Sequence, residues 1–444
     1  MKPFIYNIPV KVYFGEGQLS NLGRELSKYG KKVLLTYGGG SIKKIGLYDE
    51  VIKEIRDAGL EVFELSGIEP NPRIESVREG ARICKEENID VVLAVGGGST
   101  IDASKFICAG AKVDFDPWDF LDLEKRAKIE DALPLLTILT LSATGSEMDN
   151  GGVISNLKTN EKLSNGSMCM LPKVSFLDPK NTYSVSEYQT ACGSADILSH
   201  ILEVYFTTEN DLFMLDCVME GLMKTVIKYA PIAMKDPTNY EARANLMWTS
   251  SWAINGFING SKSTAWSCHP MEHELSAFYD ITHGHGLAIL TPRWMQYCLN
   301  DENIYKYVQF GVNVFGIDKN LSDREIAEKA IEKLSEFLFN DLKLQSTLKD
   351  VNIEVGKDSL MLYNYTGSNA AQVGDFDLKT DITASVEDGG VAFYNKGTIA
   401  SIPSYLNMIK GGKTLKLTVK NGGRVFVLDD PSSVFNLSSL PSGS

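Results

Sequence analysis

Long apolar runs and paired cysteines are both missing from this chain of 444 residues. No stretch of roughly 18 apolar residues occurs, so the sequence predicts no membrane-spanning helix. The N-terminus lacks the apolar core and the small-residue cleavage site of a signal peptide. Seven cysteines, widely spread and without a Cys-x-x-Cys pair, indicate reduced thiols. We therefore expect a cytoplasmic protein.

Basic residues are also scarce in this chain. Lysine and arginine number 44 against 57 aspartates and glutamates, which gives a net charge of -13. Such a surface repels phosphate backbones and anionic lipid head groups, so we expect neither nucleic acid nor membrane as a partner. The remaining composition, 43% apolar and 23% charged, is typical of globular proteins, and the length predicts at least two domains.

Three patterns follow one another along the chain. Residues 1–182 alternate short β-branched runs with amphipathic stretches, which predicts an α/β domain with a parallel sheet. Residues 183–350 show the 3.6-residue period of long helices and predict an all-α domain. Residues 351–444 alternate apolar and polar residues around glycine turns, which predicts a β-rich segment of unknown role.

Individual elements can be predicted within these patterns. In the first part, the strands are expected at 32–37, 60–65, 89–95 and 135–139, and helices at 47–58 and 74–87. In the last part, residues 414–428 and 381–394 each surround a glycine-containing turn, which predicts two β-hairpins. The tail at 432–444, rich in Ser, Pro and Gly, is expected to be loose.

The histidines are few and strongly clustered. None of the five lies in the first 199 residues, and four fall within 17 residues of one another. Asp196 and His200 stand at i, i+4 in a helical pattern, on one helix face, and His269 and His273 repeat that spacing. Such an Asp/His pair alone is also common as a surface pair, but clustering of all the histidines favours a metal site. Three imidazoles and a carboxylate suit Fe(II) or Zn(II).

Two glycine turns follow predicted strands in the α/β part. One comprises Gly96, Gly97, Gly98 and Ser99, with Asp102 and Lys105 on the helix that follows; the other comprises Gly38, Gly39, Gly40 and Ser41. A glycine turn between a strand and a helix exposes backbone N–H groups to a pyrophosphate, although such turns also occur without a ligand. Neither turn matches the phosphate-loop or G-x-G-x-x-G patterns, so an ordinary nucleotide triphosphatase or Rossmann dehydrogenase is not indicated.

Hydroxyl side chains follow the next predicted strand. Thr140, Ser142 and Thr144 lie just after 135–139, where the carboxyl ends of parallel strands meet, so they are expected to face the same dinucleotide as the glycine turns. Lys162 is a candidate cation for a ribose or a phosphate. Each of these residues alone is also an ordinary loop residue.

The combination of these motifs resembles the iron-containing (group III) alcohol dehydrogenase family, in particular its NADPH-dependent butanol dehydrogenases. The resemblance covers about residues 4 to 350, and residues beyond 351 show none of it. The matching segments are Phe14-Gly15-Glu16-Gly17, residues 37–41, Pro70-Asn71-Pro72, residues 96–99 with Asp102 and Lys105, residues 142–148, Asp196-x-x-x-His200, His269-x-x-x-His273 and His283-Gly284.

The resemblance implies a fold and roles for individual residues. The fold is a dinucleotide-binding α/β domain followed by an all-α metal domain, an architecture shared with dehydroquinate synthase. The implied metal ligands are Asp196, His200, His269 and His283, with His273 beside them as a proton-relay group. The implied dinucleotide contacts are Gly38, Gly39, Gly40, Ser41, Gly96, Gly97, Gly98, Ser99, Asp102, Thr140, Thr144 and Lys162.

The resemblance also predicts a reaction. Hydride would pass reversibly between NADP(H) and a small aldehyde or primary alcohol such as butanal or butanol, with Fe(II) or Zn(II) polarising the substrate oxygen. NADPH is favoured because Gly39 and Ser41 leave room for a 2′-phosphate and Lys43 can neutralise it. We expect a homodimer. Two alternatives are a polyol dehydrogenase on the same scaffold and a disabled dehydrogenase that carries a β-rich binding module.

Overall fold

The computed structural model describes residues 1–353, apart from 208, 210, 263 and 265, and four strands between residues 382 and 428. The chain forms two units, residues 1–262 with 268–346 and residues 263–267 with 347–444. All candidate site residues lie in the first unit. Among the described helices, none combines the length and the apolar character that a membrane crossing requires.

A six-stranded parallel sheet forms the N-terminal half of the first unit. The strand order is β1-β8-β5-β4-β2-β3, and every pair is parallel. The central strands β4 and β5 are buried along their whole length, as expected for apolar runs covered by helices on both faces. The strands are β1 Lys11–Phe14, β2 Lys32–Tyr37, β3 Glu61–Leu65, β4 Val91–Gly96, β5 Leu135–Leu139 and β8 Val174–Leu177.

Helices connect these strands and cover the sheet. Two buried clusters, one around Ile74, Ile101 and Phe106 and the other around Leu22, Val51 and Ile55, lie in this half of the unit. The predicted parallel α/β arrangement is confirmed, with element ends within two residues of the expected positions. The helices are α1 Leu22–Leu26, α2 Ser41–Lys44, α3 Leu47–Asp57, α4 Ile74–Glu86 and α5 Gly98–Gly110.

The strand order reverses at β2, and such a reversal leaves a crevice at the edge of the sheet. The chain leaves β2, forms β3 on one side of it, and returns to place β4 on the other side. In open parallel sheets, ligands bind beyond the carboxyl ends of the strands at such a reversal. The turns at 38–40 and 96–98 follow β2 and β4, so both glycine turns lie at this edge of the sheet.

A hairpin interrupts the α/β pattern and was not predicted. Strands β6, Gly151–Asn156, and β7, Glu161–Gly166, pair antiparallel. The short sequence between them, Leu157 to Asn160, carries Asn160 at a positive φ of 51°. The hairpin carries Lys162 on β7, and β7 lies against the helix that bears two of the candidate histidines.

The second half of the first unit is helical, as predicted. Its first helix begins after Ser186, whose hydroxyl accepts a hydrogen bond from the Gln189 N–H at 3.2 Å and so caps the helix. The division into domains at 182 and 350 stays a prediction. The helices are α6 Glu187–Tyr205, α7 Phe213–Lys235, α8 Tyr240–Ile254, α9 Cys268–Tyr279, α10 His283–Cys298, α11 Ile304–Phe315 and α12 Asp323–Glu336.

The strands described beyond residue 353 are β9 Ile382–Glu387, β10 Gly390–Tyr394, β11 Leu415–Lys420 and β12 Arg424–Leu428. The prediction of two hairpins is wrong for these strands, because β9 pairs with β11 and β10 with β12, both in parallel. Alternation of apolar and polar residues fixes the two faces of a strand but does not fix its partner. The predicted loose tail at 432–444 lies outside the described residues.

Candidate metal centre and cofactor cleft

Two of the predicted ligands come from the middle of α6. Asp196 and His200 are one turn apart, and both are buried. The Nε2 atom of His200 lies 3.7 Å from Oδ1 of Asp196. The i, i+4 spacing therefore brings the two groups to one face of the helix, as the sequence predicts.

The other two ligands lie near the starts of α9 and α10. His269 is the second residue of α9 and His283 the first of α10. Pro270 falls in the first turn of α9, where a missing N–H breaks no intrahelical bond, so the proline marks the start of the helix. The Nε2 atoms of His269 and His283 lie 3.6 and 3.7 Å from Asp196 Oδ1.

Glycines allow α10 to approach its neighbours closely. A β-carbon at Gly284 would lie 1.9 Å from the carbonyl oxygen of Cys192 on α6. A β-carbon at Gly286 would lie 2.7 Å from Cγ of Glu272 on α9. The two glycines that flank His285 in the sequence therefore permit the contact that brings His283 to Asp196.

Asp196, His200 and His269 can share a divalent cation, since their ligand atoms lie within 4.8 Å of one another, and His283 joins them through Asp196. Oδ1 of Asp196 is buried, faces three imidazole Nε2 atoms at 3.6 to 3.7 Å, and makes no hydrogen bond in the described part of the chain. Ligands about 2.1 Å from a tetrahedral ion are separated from each other by roughly 3.4 Å, close to the observed spacing. A buried carboxylate oxygen without a hydrogen bond is costly, and a bound cation would satisfy it.

Two buried glutamates contact the outer nitrogens of the ligand histidines. Glu203 Oε2 lies 2.6 Å from Nδ1 of His269, and its Oε1 accepts the His269 backbone N–H at 3.2 Å. Glu272 Oε2 forms a hydrogen bond with Nδ1 of His283. Sequence reasoning missed both acids, although Glu203 is seven residues after Asp196 and Glu272 three after His269, and both spacings fall on the ligand face of the helix.

Burial and charge set the protonation of the ligands. Burial lowers the pKa of His200 to about 4 and that of His283 well below its usual value, so both imidazoles are neutral near pH 7 and offer a lone pair. Burial also disfavours the charged form of His269, but the charge of Glu203 outweighs it and raises that pKa to about 9. Burial raises the pKa of Asp196, but the neighbouring imidazoles hold it well below its usual range, so Asp196 is ionised.

Several of the predicted dinucleotide residues lie together at the edge of the sheet. A β-carbon at Gly98 would overlap the Thr144 side chain, one at Gly97 would lie 3.3 Å from Leu141, and the Thr140 N–H donates to the Gly96 carbonyl at 3.0 Å. The turns after β4 and β5 are thus in direct contact. Gly39 has open space around it, and Gly40, with φ of 96°, directly precedes α2, which begins at Ser41.

Asp102 lies near the start of α5 and is bound by neighbouring groups of the protein. Its carboxylate accepts hydrogen bonds from the Ser146 hydroxyl at 2.6 Å and from the Val153 N–H at 2.9 Å. Burial raises its pKa to about 6, while nearby Lys105 opposes the shift. Lys105 itself is fully buried and contacts Ser146, Asp149 and the Gly151 carbonyl. Asp102 and Lys105 therefore hold the loop after β5 in place.

The sequence matches family models along most of its length. Residues 9–179 match the model described as iron-containing alcohol dehydrogenase, and residues 190–365 match the C-terminal model of the Fe-containing alcohol dehydrogenase family. The chain is 53% identical over 362 residues to NADH-dependent butanol dehydrogenase A of Clostridium acetobutylicum, a match that spans 82% of this chain and 92% of that protein. The chain belongs to the iron-containing alcohol dehydrogenase family.

Further relatives support the assignment of the chain to this family. The chain is 35% identical over 390 residues to the NADPH-dependent aldehyde reductase YqhD of Escherichia coli, covering 87% of this chain and 99% of that protein. Among solved structures, NADH-dependent butanol dehydrogenase A of Thermotoga maritima superposes with a TM-score of 0.77 at 40% identity, over 80% of this chain and 88% of that one. Family membership implies a nicotinamide dinucleotide and a metal as cofactors.

The two remaining histidines of this family member lie beside the ligand set. The ring of His273 has its centroid 5.6 Å from that of His283. His285 is buried, with Nδ1 3.1 Å from the Tyr188 hydroxyl and Nε2 2.9 Å from the carbonyl oxygen of Gln345. Because a carbonyl only accepts, His285 carries its proton on Nε2 and ties α10 to the end of the first unit.

Lys162 lies against the ligand histidines. Its ammonium donates to Oδ1 of Asn71 at 3.0 Å and to Oε2 of Glu272 at 3.2 Å, and it stands 3.4 Å from Nδ1 of His283. Asn71 in turn donates to Oδ1 of Asp280 at 2.8 Å, in the loop that leads into α10. Lys162 therefore links the sheet half of the unit to the helices that bear the ligands.

Proposed function

We propose that this protein is a metal-dependent alcohol dehydrogenase and aldehyde reductase that uses NADP(H) and a small aliphatic aldehyde or primary alcohol such as butanal or butanol. One observation carries the proposal: three imidazole Nε2 atoms converge on the buried Oδ1 of Asp196 at 3.6 to 3.7 Å. The activities for which the butanol dehydrogenase and aldehyde reductase relatives are named support it.

The proposed chemistry divides between bound cofactors and the chain. When bound, the divalent cation supplies Lewis acidity at the substrate oxygen and the reduced dinucleotide supplies the hydride. Asp196, His200, His269 and His283 hold the cation. His273, which burial keeps neutral at pH 7, can accept a proton on one ring nitrogen while it donates from the other, and so can pass a proton to or from the substrate oxygen. Because cells keep NADPH reduced, the working direction would be aldehyde reduction.

The cofactor preference is proposed from the turn after β2. Gly39 has open space around it, so neither bulk nor an acidic side chain at that position excludes a 2′-phosphate. Lys43 lies nearby, with its ammonium over the rings of Tyr37 and Tyr48 at 5.0 and 4.5 Å. The relatives include both NADH-dependent and NADPH-dependent enzymes.

Steady-state kinetics with both cofactors test this preference. The kcat/KM for NADPH is expected to exceed that for NADH, and Gly39→Asp is expected to reverse the order, since a carboxylate binds a ribose 2′-hydroxyl and repels a 2′-phosphate. Gly39→Asn is the matched control, because it adds the same bulk without charge. A wild-type preference for NADH would refute this part of the proposal.

Metal analysis combined with an assay of butanal reduction tests the function itself. The purified chain is expected to hold one Fe(II) or Zn(II) and to oxidise NADPH with butanal much faster than with glyceraldehyde, the substrate that a polyol dehydrogenase would favour. His283→Ala is expected to remove metal and turnover while NADPH still binds. Normal turnover in that variant would remove the ligand assignment. We also infer that the protein is a homodimer, which sedimentation tests, and that it is cytoplasmic, which cell fractionation tests.

A further inference from the structure

Glu272 is a fully buried carboxylate with three hydrogen-bonding partners. It lies on α9, and none of its side chain is exposed. Its Oε1 accepts the Ser276 hydroxyl, and its Oε2 contacts both Nδ1 of His283 and the ammonium of Lys162. The missing side chain at Gly286 leaves the space that the Glu272 side chain occupies.

The contact with Glu272 determines which nitrogen of His283 can bind a metal. An ionised carboxylate only accepts hydrogen bonds, so the proton of the neutral ring is held on Nδ1 and the lone pair is left on Nε2. That nitrogen is the one that faces Asp196 Oδ1 at 3.7 Å. His269 has the same arrangement, with Glu203 at its Nδ1. Carboxylates in this position orient the ring and increase its basicity as a ligand.

Lys162 offers an alternative partner for His283 that would have the opposite effect. Its ammonium stands 3.4 Å from Nδ1, and a hydrogen bond there would place the ring proton on Nε2 and block metal binding. Its contacts with Asn71 at 3.0 Å and Glu272 at 3.2 Å are shorter. The lysine is therefore better placed as the counter-ion of Glu272.

The buried charges around the ligands also favour a divalent ion. Among the described side chains that contact the four ligands, three carboxylates, Asp196, Glu203 and Glu272, carry three negative charges, and Lys162 carries one positive charge. With the three histidines neutral as metal ligands, a cation of charge two brings this set to neutrality. Buried charges that remain uncompensated are strongly unfavourable, so Glu272 and Lys162 belong to the charge balance of the site.

We infer that Glu272 is a positioning residue, with Lys162 as its fixed counter-ion, which holds His283 in the Nδ1–H tautomer and thereby strengthens divalent metal binding. This inference rests on the proposed metal site. It extends that site to residues that bind neither the metal nor the substrate.

Metal titration of the full-length apo protein tests the inference. Zn(II) affinity, measured by competition with a chromophoric chelator, is expected to fall about 10- to 100-fold in Glu272→Gln, as for other outer carboxylates of metal sites. Glu274→Gln, the same change on the exposed side of α9, is the matched control and is expected to bind as the wild type does. Equal affinity in Glu272→Gln and wild type, or equal loss in both variants, would overturn the inference.

The tautomer can be measured without any variant, which covers the case in which Glu272→Gln does not fold. In metal-free protein labelled with ¹⁵N-histidine, His283 is expected to carry its proton on Nδ1 and a lone pair on Nε2. A proton on Nε2 would refute the role of Glu272. A wild-type chain that binds no metal would instead refute the proposed function, so the two failures are distinguishable.

Discussion

Replacement of Gly284 by alanine tests how precisely α6 and α10 must meet. The new β-carbon would start 1.9 Å from the Cys192 carbonyl oxygen, whereas real β-carbons essentially never approach another atom closer than 3.0 Å. The helices must therefore separate by about 1.1 Å, the difference between these two distances. His283 lies next to Gly284 and Asp196 lies one turn after Cys192, so the separation acts directly between two ligands. Metal–ligand bonds tolerate shifts of only about 0.2 Å, so His283 is expected to leave the site.

The assay is metal content together with kcat/KM for butanal reduction. A displacement of about 1 Å at a reacting centre lowers activity roughly 100-fold, and Gly284→Ala is expected to lose at least that much together with its metal. Gly221→Ala is the matched control, because Gly221 lies inside α7 with nothing within 4 Å of the added carbon. That control is expected to gain about 0.5 to 1 kcal/mol of stability and to keep full activity. A metal-replete, active Gly284→Ala enzyme would refute the close-contact reasoning.

Three further predictions concern stability in urea unfolding. Lys162→Met leaves the buried Glu272 carboxylate without its ammonium and is expected to lower the free energy of unfolding by about 3 kcal/mol; an unchanged midpoint would contradict the ion pair. Burial raises the pKa of Glu147 from 4.5 to about 7, although the Ser251 hydroxyl donates a hydrogen bond to its carboxylate. The stability that protonated Glu147 contributes is therefore fully present below pH 4.5 and is lost as the pH rises through about 7. The wild type is therefore expected to lose roughly 3 kcal/mol relative to Glu147→Gln between about pH 5 and pH 8, and parallel pH profiles would refute this. Ser322→Ala removes the capping box of α12 and is expected to cost about 1 kcal/mol without changing kcat/KM for butanal.

The sheet and its helices could be predicted because their sequence signals are local. Buried β-branched runs gave the strands at 32–37 and 135–139 with the correct ends, and apolar periodicity gave the helix at 74–86 within a residue. The pairing of strands is a non-local property. The hairpin of β6 and β7 was therefore missed, and the strands β9 to β12 were paired wrongly.

A metal site could be proposed because the histidines cluster at helical spacing, whereas the choice of the four ligands came from the resemblance to the family. The two glutamates that contact Nδ1 of the ligand histidines were not proposed. In the sequence, Glu203 and Glu272 look like ordinary helix residues, because their contacts form only when the helices pack together. Lys162 shows the same limit. Its residue type suggested a phosphate contact, which stays a prediction, and its contact with Glu272 depends on a hairpin that was not predicted.

The bond between His285 and the Gln345 carbonyl sets a lower bound on where the protein can be shortened. Arg293 on α10 likewise donates to the carbonyl of Ser346 at 2.8 Å. Two successive backbone oxygens near the end of the first unit therefore accept hydrogen bonds from the helix that begins with His283. An engineered chain that stops before residue 345 would leave the buried His285 N–H without an acceptor, at a cost of about 1 to 3 kcal/mol. Trimming for crystallisation or fusion should therefore begin after Ser346.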